Sequence, residues 1–237
     1  MAMFGKLYVP DALLVQKYAL DLLAKYFQRE GGGYVYSGAA FDTYPVRPAA
    51  VIGSRGDTGN TITDSDLVAL SLLGIRVTGY EALVIRQHQA REIGNLLRSI
   101  PADARIDDEG SDALLVRGGP AWTLWELLYQ IKDRTKEARF GAVAAGKLLA
   151  RKRPGLIPIE DRLIASVFRR QAPDRDQNWW DDVRSAALAA QPAANGTTLW
   201  RYLADIRHEA SVDHLQILRV LDIIGWMHAR RSPAGDV

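Results

Sequence analysis

The chain has 237 residues, which is enough for one large domain with a sizeable buried core. Hydrophobic residues make up 48% of it and charged residues 24%, so the composition excludes an intrinsically disordered chain. The absence of cysteine excludes disulfides and thiolate metal sites. Neither a secretory signal nor an apolar run of about 18 residues is visible, so we expect a cytoplasmic protein with no membrane partner.

The first third of the chain carries both helix and loop signals. Apolar side chains recur every three or four positions over 11–28 and predict an amphipathic helix. Small and aromatic residues alternate over 33–45 and predict a short β-hairpin or an ordered loop. The Pro, Gly and Asp residues of 45–60 predict a surface loop. Thr63 with Asp66 three residues later predicts a capping box at the start of the next helix.

Helical patterns continue to the end of the chain, with an acidic, glycine-rich loop predicted at 101–119. Thr197 or Thr198, and then Ser211, are the predicted N-caps of the last two helices. The helices predicted after the first one cover 66–75, 79–98, 120–134, 141–152, 161–171, 178–190, 198–209 and 212–230.

This succession of helices predicts the fold class. Strand signals are confined to one short segment, so an alternating α/β fold is disfavoured and an all-α orthogonal multi-helix bundle is expected. We expect a single compact domain over 1–237, with helical halves at 1–118 and 119–237.

Charge is concentrated in one part of the chain. Between Gln130 and Arg170 there are eleven Lys or Arg and four Asp or Glu, so this block has a net charge of +7 and the remainder −5. A basic block in a slightly acidic chain is typical of a phosphate-binding surface. Solvated helix faces are the alternative interpretation.

A helix with little side-chain bulk lies inside this block. It is expected to begin at Gly141 and Ala142, and its free N–H groups would form an anion site. Lys147 and the Arg151, Lys152 and Arg153 cluster would add positive charge, and such contacts grip the backbone of duplex DNA without reading its sequence. Tight helix packing is the alternative use of small residues.

The segment RFGAVAAGKLLARKRPGLIPIEDRLI, residues 139–164, resembles the helix–hairpin–helix signature of the DNA glycosylase superfamily. Gly141 matches the second hairpin glycine, and Arg139 stands where that family has the first. Asp161, 20 residues after Gly141 in a Pro-x-x-Asp context, matches the family's catalytic aspartate. Val143 stands at the position of the Schiff-base lysine of bifunctional members, so the resemblance implies a monofunctional glycosylase.

The resemblance gives Asp161 a chemical role beside a structural one. A carboxylate there would stabilise a sugar cation or orient a water during hydrolysis of the N-glycosidic bond. The same residue is also well placed to cap the helix that starts at Arg162. The two roles are compatible.

An aromatic stripe precedes the hairpin. Trp122, Trp125 and Tyr129 are spaced by three and four residues and share one face of a helix. They would form the wall of a pocket for an extruded base, because flipped bases stack on aromatic rings. Ordinary core packing is the alternative.

Other chemistry is not indicated. The four histidines form no H-E-x-x-H pair, and no phosphate-binding glycine loop is present, so we expect neither a metal nor a cofactor. The oligomeric state and the target base are not predicted.

Nearly the whole chain, from about Phe4 to Arg230, also resembles an uncharacterised bacterial family common in actinobacteria. The resemblance is carried by SGAAFDTY, ITDSDLVALSLLGI, AAGKLLARKRPGLIPIEDRLI and LRVLDIIGWMHARR. It implies a shared fold and no particular activity.

Together these observations predict a DNA-binding protein of helix–hairpin–helix glycosylase type, acting as a monofunctional glycosylase on a modified base. A DNA-binding module without catalysis, and a helical structural or interaction protein with no nucleic-acid role, are the alternatives.

Overall fold

The three-to-four-residue spacing of apolar side chains produces a mainly helical protein in the computed structural model. The structure describes residues 1–45, 58–131, 140–168, 179–193 and 196–231. The strands in these ranges form two short antiparallel pairs. The predicted helical fold class is therefore confirmed.

The helices follow one another along the whole chain. In order they are α1 (Gln16–Tyr26), α2 (Asp64–Leu72), α3 (Gly79–Leu83), α4 (Ala90–Arg98), α5 (Ser111–Leu115), α6 (Pro120–Tyr129), α7 (Gly141–Lys152), α8 (Arg162–Phe168), α9 (Trp179–Ala187), α10 (Leu199–Glu209) and α11 (Ile217–Arg231). Short 3-10 turns lie at Asp11–Leu14, Ser37–Ala40 and Thr58–Asn60.

The strand pairs lie near the amino end. Strand β1 (Ala2–Phe4) pairs with β2 (Leu7–Val9), and β3 (Arg29–Glu30) pairs with β4 (Gly33–Tyr34). The hairpin predicted at 33–45 therefore lies a few residues earlier, because the turn forms at the glycines that follow Glu30. Both Gly31 and Gly32 adopt positive φ there, which is readily available to glycine.

Two compact units alternate along the sequence. Unit 1 comprises Met1–Val35, Arg105–Glu109 and Pro154–Val237. Unit 2 comprises Tyr36–Ala104 and Gly110–Arg153. These boundaries differ from the predicted halves at 1–118 and 119–237, because both ends of the chain belong to unit 1.

The core of unit 1 surrounds α11. Ten of the residues between Ile217 and Met227 are buried, and α1, α8 and α10 pack against this helix. Gly225 makes room for the ring of Phe168 on α8, since a Cβ there would lie 2.8 Å from Phe168 Cζ. Arg219 is buried beside Asp222 and donates a 2.8 Å hydrogen bond to the hydroxyl of Tyr26.

The core of unit 2 lies around α7. Its buried face includes Ala144, Ala145, Leu148 and Leu149, and it packs on α6 and α2. The small side chains of Ala144 and Ala145 allow close helix packing. Tight packing is the alternative that the sequence offers for the small residues of this segment.

Local signals predicted some helix ends correctly. Thr63 and Asp66 form the predicted capping box at the start of α2, and Thr198 caps α10 by accepting a hydrogen bond from the Arg201 amide. Ser211 was wrongly predicted as an N-cap. It lies at the end of α10 with φ +55°, and the Val212 amide donates to Arg207 O in a Schellman-type ending.

Two predicted ranges differ internally. The helix predicted over 79–98 is interrupted by a π turn at Val84–His88, where the Gln89 amide donates to Val84 O. The loop predicted at 101–119 contains α5. The surface loop predicted at 45–60 falls mostly outside the described residues.

The described helices are also too short or too polar to cross a membrane.

Candidate nucleic-acid interface

The turn that leads into α7 contains a buried phenylalanine. Phe140 is buried, and its amide donates to Ile131 O at 3.1 Å, which fixes the backbone just before the helix. Gly141 then adopts φ +68°, a left-handed conformation that residues with a Cβ rarely take. Arg139, predicted to bind DNA, lies outside the described residues.

The first turn of α7 is accessible. In the described part of the chain no side chain caps this end of the helix. Ala142 and Val143 are exposed, with 40% of Val143 open to solvent. A 12-residue helix with an open amino end presents N–H groups and the positive end of its dipole, which suits an anion.

The aromatic stripe of α6 lies on the surface and is not core. Trp122 and Trp125 are half-buried, and Tyr129 is 38% exposed. The rings of Trp125 and Tyr129 stack in parallel, with centroids 5.2 Å apart and planes 1° apart. Trp122 is tilted by 43° against Trp125 at a centroid distance of 5.4 Å.

One hydrogen bond joins these two features. Trp125 Nε1 donates to Ala142 O at 3.2 Å, which places the aromatic stripe beside the first turn of α7. We call Trp122, Trp125, Tyr129, Ala142 and Val143 the α6–α7 surface. All five residues belong to unit 2.

Arg117 and Glu126 are charged residues that border the α6–α7 surface. The Arg117 guanidinium carbon lies 5.8 Å from the centroid of the Trp122 ring, a cation–π contact. Glu126 accepts a 2.8 Å hydrogen bond from Trp122 Nε1. Sequence reasoning missed both residues, although Glu126 lies four positions after Trp122 and therefore on the same helix face.

Lys147 faces the protein and not the solvent. It is 7% exposed, and its Nζ donates to Leu73 O at 3.2 Å. A phosphate contact, as predicted from the sequence, does not fit an ammonium group in this position.

Arg151 and Lys152 converge on one buried carboxylate. Lys152 Nζ lies 2.9 Å from Asp66 Oδ2, and Arg151 Nε lies 3.4 Å from Asp66 Oδ1. Arg151 also donates to the carbonyl oxygens of Phe41 and Tyr44. These cations are therefore engaged within unit 2, and their predicted contact with DNA stays a prediction.

Opposing effects act on the pKa of Asp66. Burial by itself would raise its pKa, because it disfavours the charged form. The hydrogen bond from the Thr63 amide and the charge of Lys152 outweigh burial, so the pKa of Asp66 lies below its usual value. The carboxylate is thus ionised where it meets the two cations.

Arg153 is the most completely buried of the predicted phosphate-binding residues, with 1% exposure. Its guanidinium donates to Ile100 O at 2.8 Å, to Gly59 O at 2.9 Å and to Asn60 Oδ1 at 2.8 Å. Those oxygens belong to segments far from Arg153 in sequence. Its role in the structure is to tie them together, which does not fit the predicted contact with a phosphate.

Asp161 caps the helix that follows it. Its Oδ1 accepts hydrogen bonds from the amides of Leu163 and Ile164, both at 3.0 Å, at the start of α8. The residue is half-buried and belongs to unit 1. Its catalytic role stays a prediction.

The described ranges contain no group of three or more His, Asp or Glu side chains placed to hold a metal ion. His208 and Asp213 approach to 3.4 Å as an exposed pair.

Comparison with known proteins gives a family and no activity. No curated protein and no solved structure matches the chain. The model of a family of unknown function, DUF6308, matches residues 19–229. This range covers most of the 237 residues and both units. The chain therefore belongs to the DUF6308 family.

Proposed function

We propose that this protein binds DNA through the α6–α7 surface of unit 2. The observation that supports this most is the hydrogen bond from Trp125 Nε1 to Ala142 O, because it brings exposed aromatic rings beside an open helix start. Backbone N–H groups at a helix start bind phosphate oxygens, and aromatic rings contact bases.

Few cations of the described ranges are available to the proposed contact. Lys147 and Arg153 have structural roles in unit 2, so among these residues the positive potential comes from the α7 helix dipole and Arg117. Binding through few phosphates releases few counterions. We therefore expect a shallow salt dependence, with a slope of log K against log salt of roughly −2.

DNA binding without catalysis is the form of this function that the described geometry supports best. The two amide hydrogen bonds that the Asp161 carboxylate accepts at the start of α8 explain this residue as a helix cap, a role that is compatible with catalysis and does not require it. The predicted base excision is a separate hypothesis with its own test, described in the Discussion.

The test is a salt titration of full-length protein with a fluorescently labelled 20-bp duplex, followed by anisotropy. Val143→Glu places a negative charge in the first turn of α7, where it favours the helix but repels phosphate. We expect about tenfold weaker duplex binding at low salt for Val143→Glu. The matched variant Val143→Gln has nearly the same size and no charge, so its affinity should stay within about twofold.

Two results would contradict the proposal. Duplex affinity that is undetectable at low salt would favour a helical structural or interaction protein with no nucleic-acid role. Equal affinity of the Glu and Gln variants would show that DNA binds elsewhere on the chain.

A further inference from the structure

Among the residues that the structure describes, the aromatic side chains of the α6–α7 surface form a stack whose Tyr129 end is covered by no further ring. Arg117 lies over Trp122 at one end, while Tyr129 at the other end is the most exposed of the three rings. The Trp125 and Tyr129 planes are parallel within 1°. A further flat ring placed on Tyr129 would continue this stack in the same orientation.

The N–H groups of both indoles donate hydrogen bonds within the protein. Trp122 Nε1 donates to Glu126 and Trp125 Nε1 donates to Ala142 O. The indole N–H groups are therefore engaged, and the most exposed ring of the stack is that of Tyr129, at 38%. This disfavours a proline-rich peptide held by indole N–H groups, and it favours stacking, which tolerates any base because every base has a π face.

The charges around the stack favour an anionic ligand. Arg117 and the amino end of α7 border the rings with positive potential, and the carboxylate of Glu126 is engaged by the Trp122 indole. A ligand with flat rings on an anionic chain combines both requirements. In an intact duplex the faces of the bases are covered by their neighbours, whereas an unpaired base has a face to offer.

We propose that the Trp122–Trp125–Tyr129 stack binds unpaired nucleobases, so that the protein prefers single strands and interrupted duplexes to intact ones. This inference rests on the proposed DNA binding and names its substrate class. One base stacks on Tyr129 while a neighbouring phosphate lies at the first turn of α7. Stacking on a ring face carries no sequence preference of its own, because every base has a π face.

The experiment compares four ligands with the full-length protein at one salt concentration. They are an intact 20-bp duplex, the same duplex with a central three-nucleotide single-stranded gap, the matching single strand of DNA, and the same single strand of RNA. We expect the gapped duplex and at least one single strand to bind about tenfold more tightly than the intact duplex. Comparison of the DNA and RNA strands identifies the sugar that the site accepts.

Tyr129 supplies a matched pair of variants. Tyr129→Ala removes the exposed ring and should abolish the tenfold gain, so that the gapped and intact duplexes bind this variant with equal affinity. Tyr129→Phe keeps the ring and should retain the gain. Because Tyr129 lies at the surface at the end of α6, neither change threatens the fold, and circular dichroism verifies this.

Failure of this inference can be told from failure of the proposed function. Tight binding of the intact duplex, with no gain for unpaired ligands, would overturn the stacking proposal and leave DNA binding standing. No binding of any of the four ligands would overturn both. A gain that survives Tyr129→Ala would also overturn the assignment to this stack.

Discussion

At the residue scale, Asp66 is a buried acid that joins distant segments of unit 2. It combines a local capping bond to Thr63 with ion pairs to Arg151 and Lys152, which lie more than 80 positions later in the chain. A buried carboxylate that is paired on two sides stabilises the fold only while it remains ionised.

The depressed pKa of Asp66 predicts a pH dependence with a definite sign. Its contribution to folding is complete above the unfolded-state value of about 4 and is lost as the pH falls through the lower folded-state value. Asp66→Asn should therefore lower the free energy of unfolding at pH 7 by about 3 kcal/mol and remove this part of the acid dependence. Urea denaturation at pH 7 and pH 3 measures both effects.

Asp64→Asn is the matched control for this prediction. Asp64 lies in the same first turn of α2 but its side chain is exposed, and it pairs with Arg86 at the surface. Its replacement should change stability by less than about 1 kcal/mol. Equal losses for the two variants would show that the buried pairs of Asp66 add nothing beyond the helix dipole.

Gly225 is a second position at which a distant neighbour, Phe168, limits the size of the residue. Ala at this position would crowd the ring of Phe168, and overpacking of this kind costs about 1 to 3 kcal/mol. Gly146 lies in α7 with open space where a Cβ would be, so Ala there should stabilise the protein by roughly 0.5 to 1 kcal/mol. Thermal unfolding of both variants should give shifts of opposite sign, and stabilisation by Gly225→Ala would contradict the packing described for α8 and α11.

At the element scale, α7 has two ends with different roles. Its amino end is open and lies beside the aromatic stripe, whereas its carboxyl end carries Arg151, Lys152 and Arg153 into contacts with oxygens of unit 2. Lysine and arginine near a helix carboxyl end also interact favourably with the helix dipole. These three side chains therefore have contacts within unit 2, and the phosphate contact of Arg151 and Lys152 stays a prediction.

The structural role of Arg153 gives a prediction that separates the two interpretations. Arg153→Lys keeps the positive charge but removes the planar guanidinium that reaches three separate acceptors. We therefore expect a loss of about 2 to 3 kcal/mol in unfolding free energy. Arg91→Ala, at an exposed position of α4, should change stability by less than about 0.5 kcal/mol.

Equilibrium unfolding in urea, run alongside duplex binding, checks this pair. If Arg153→Lys left stability unchanged and weakened duplex binding instead, the phosphate role predicted from the sequence would be restored. The reverse pattern supports the structural role, since a buried guanidinium cannot contact DNA without leaving its acceptors.

At the scale of the whole molecule, the predicted glycosylase chemistry involves both units. Asp161 belongs to unit 1, whereas Gly141 and the α6–α7 surface belong to unit 2. The resemblance to helix–hairpin–helix glycosylases connects them only through a spacing of 20 residues in the sequence.

A lesion panel tests that chemistry. Duplexes with single modified bases are incubated with the wild-type protein and with Asp161→Asn, and abasic sites are revealed by alkaline cleavage. If the aspartate is catalytic, the wild type yields abasic sites on at least one lesion and the variant loses at least about 100-fold in rate. Asp161→Asn retains an oxygen that can cap α8, so its stability should fall by less than about 1 kcal/mol.

Absence of abasic sites across a broad panel would rule out the enzyme hypothesis and leave DNA binding. A variant as active as the wild type would assign the reaction to another residue.

Residues that are close in sequence were enough to predict part of the fold. The helical class, the Thr63–Asp66 capping box and the Thr198 cap depend on residues within a few positions of one another, and they follow from helix periodicity and capping chemistry. The shared face of Trp122, Trp125 and Tyr129 follows from helix periodicity in the same way.

Only the tertiary structure decided which surfaces these elements bury. The sequence predicts Lys147 and Arg153 as solvent-facing cations, yet both are buried and donate hydrogen bonds to distant carbonyl oxygens. The aromatic stripe lies at the surface, although its composition suits a core. The reason is physical. Helix periodicity fixes which residues share a face, but the direction of that face depends on partners tens of residues away, whose positions no local pattern encodes.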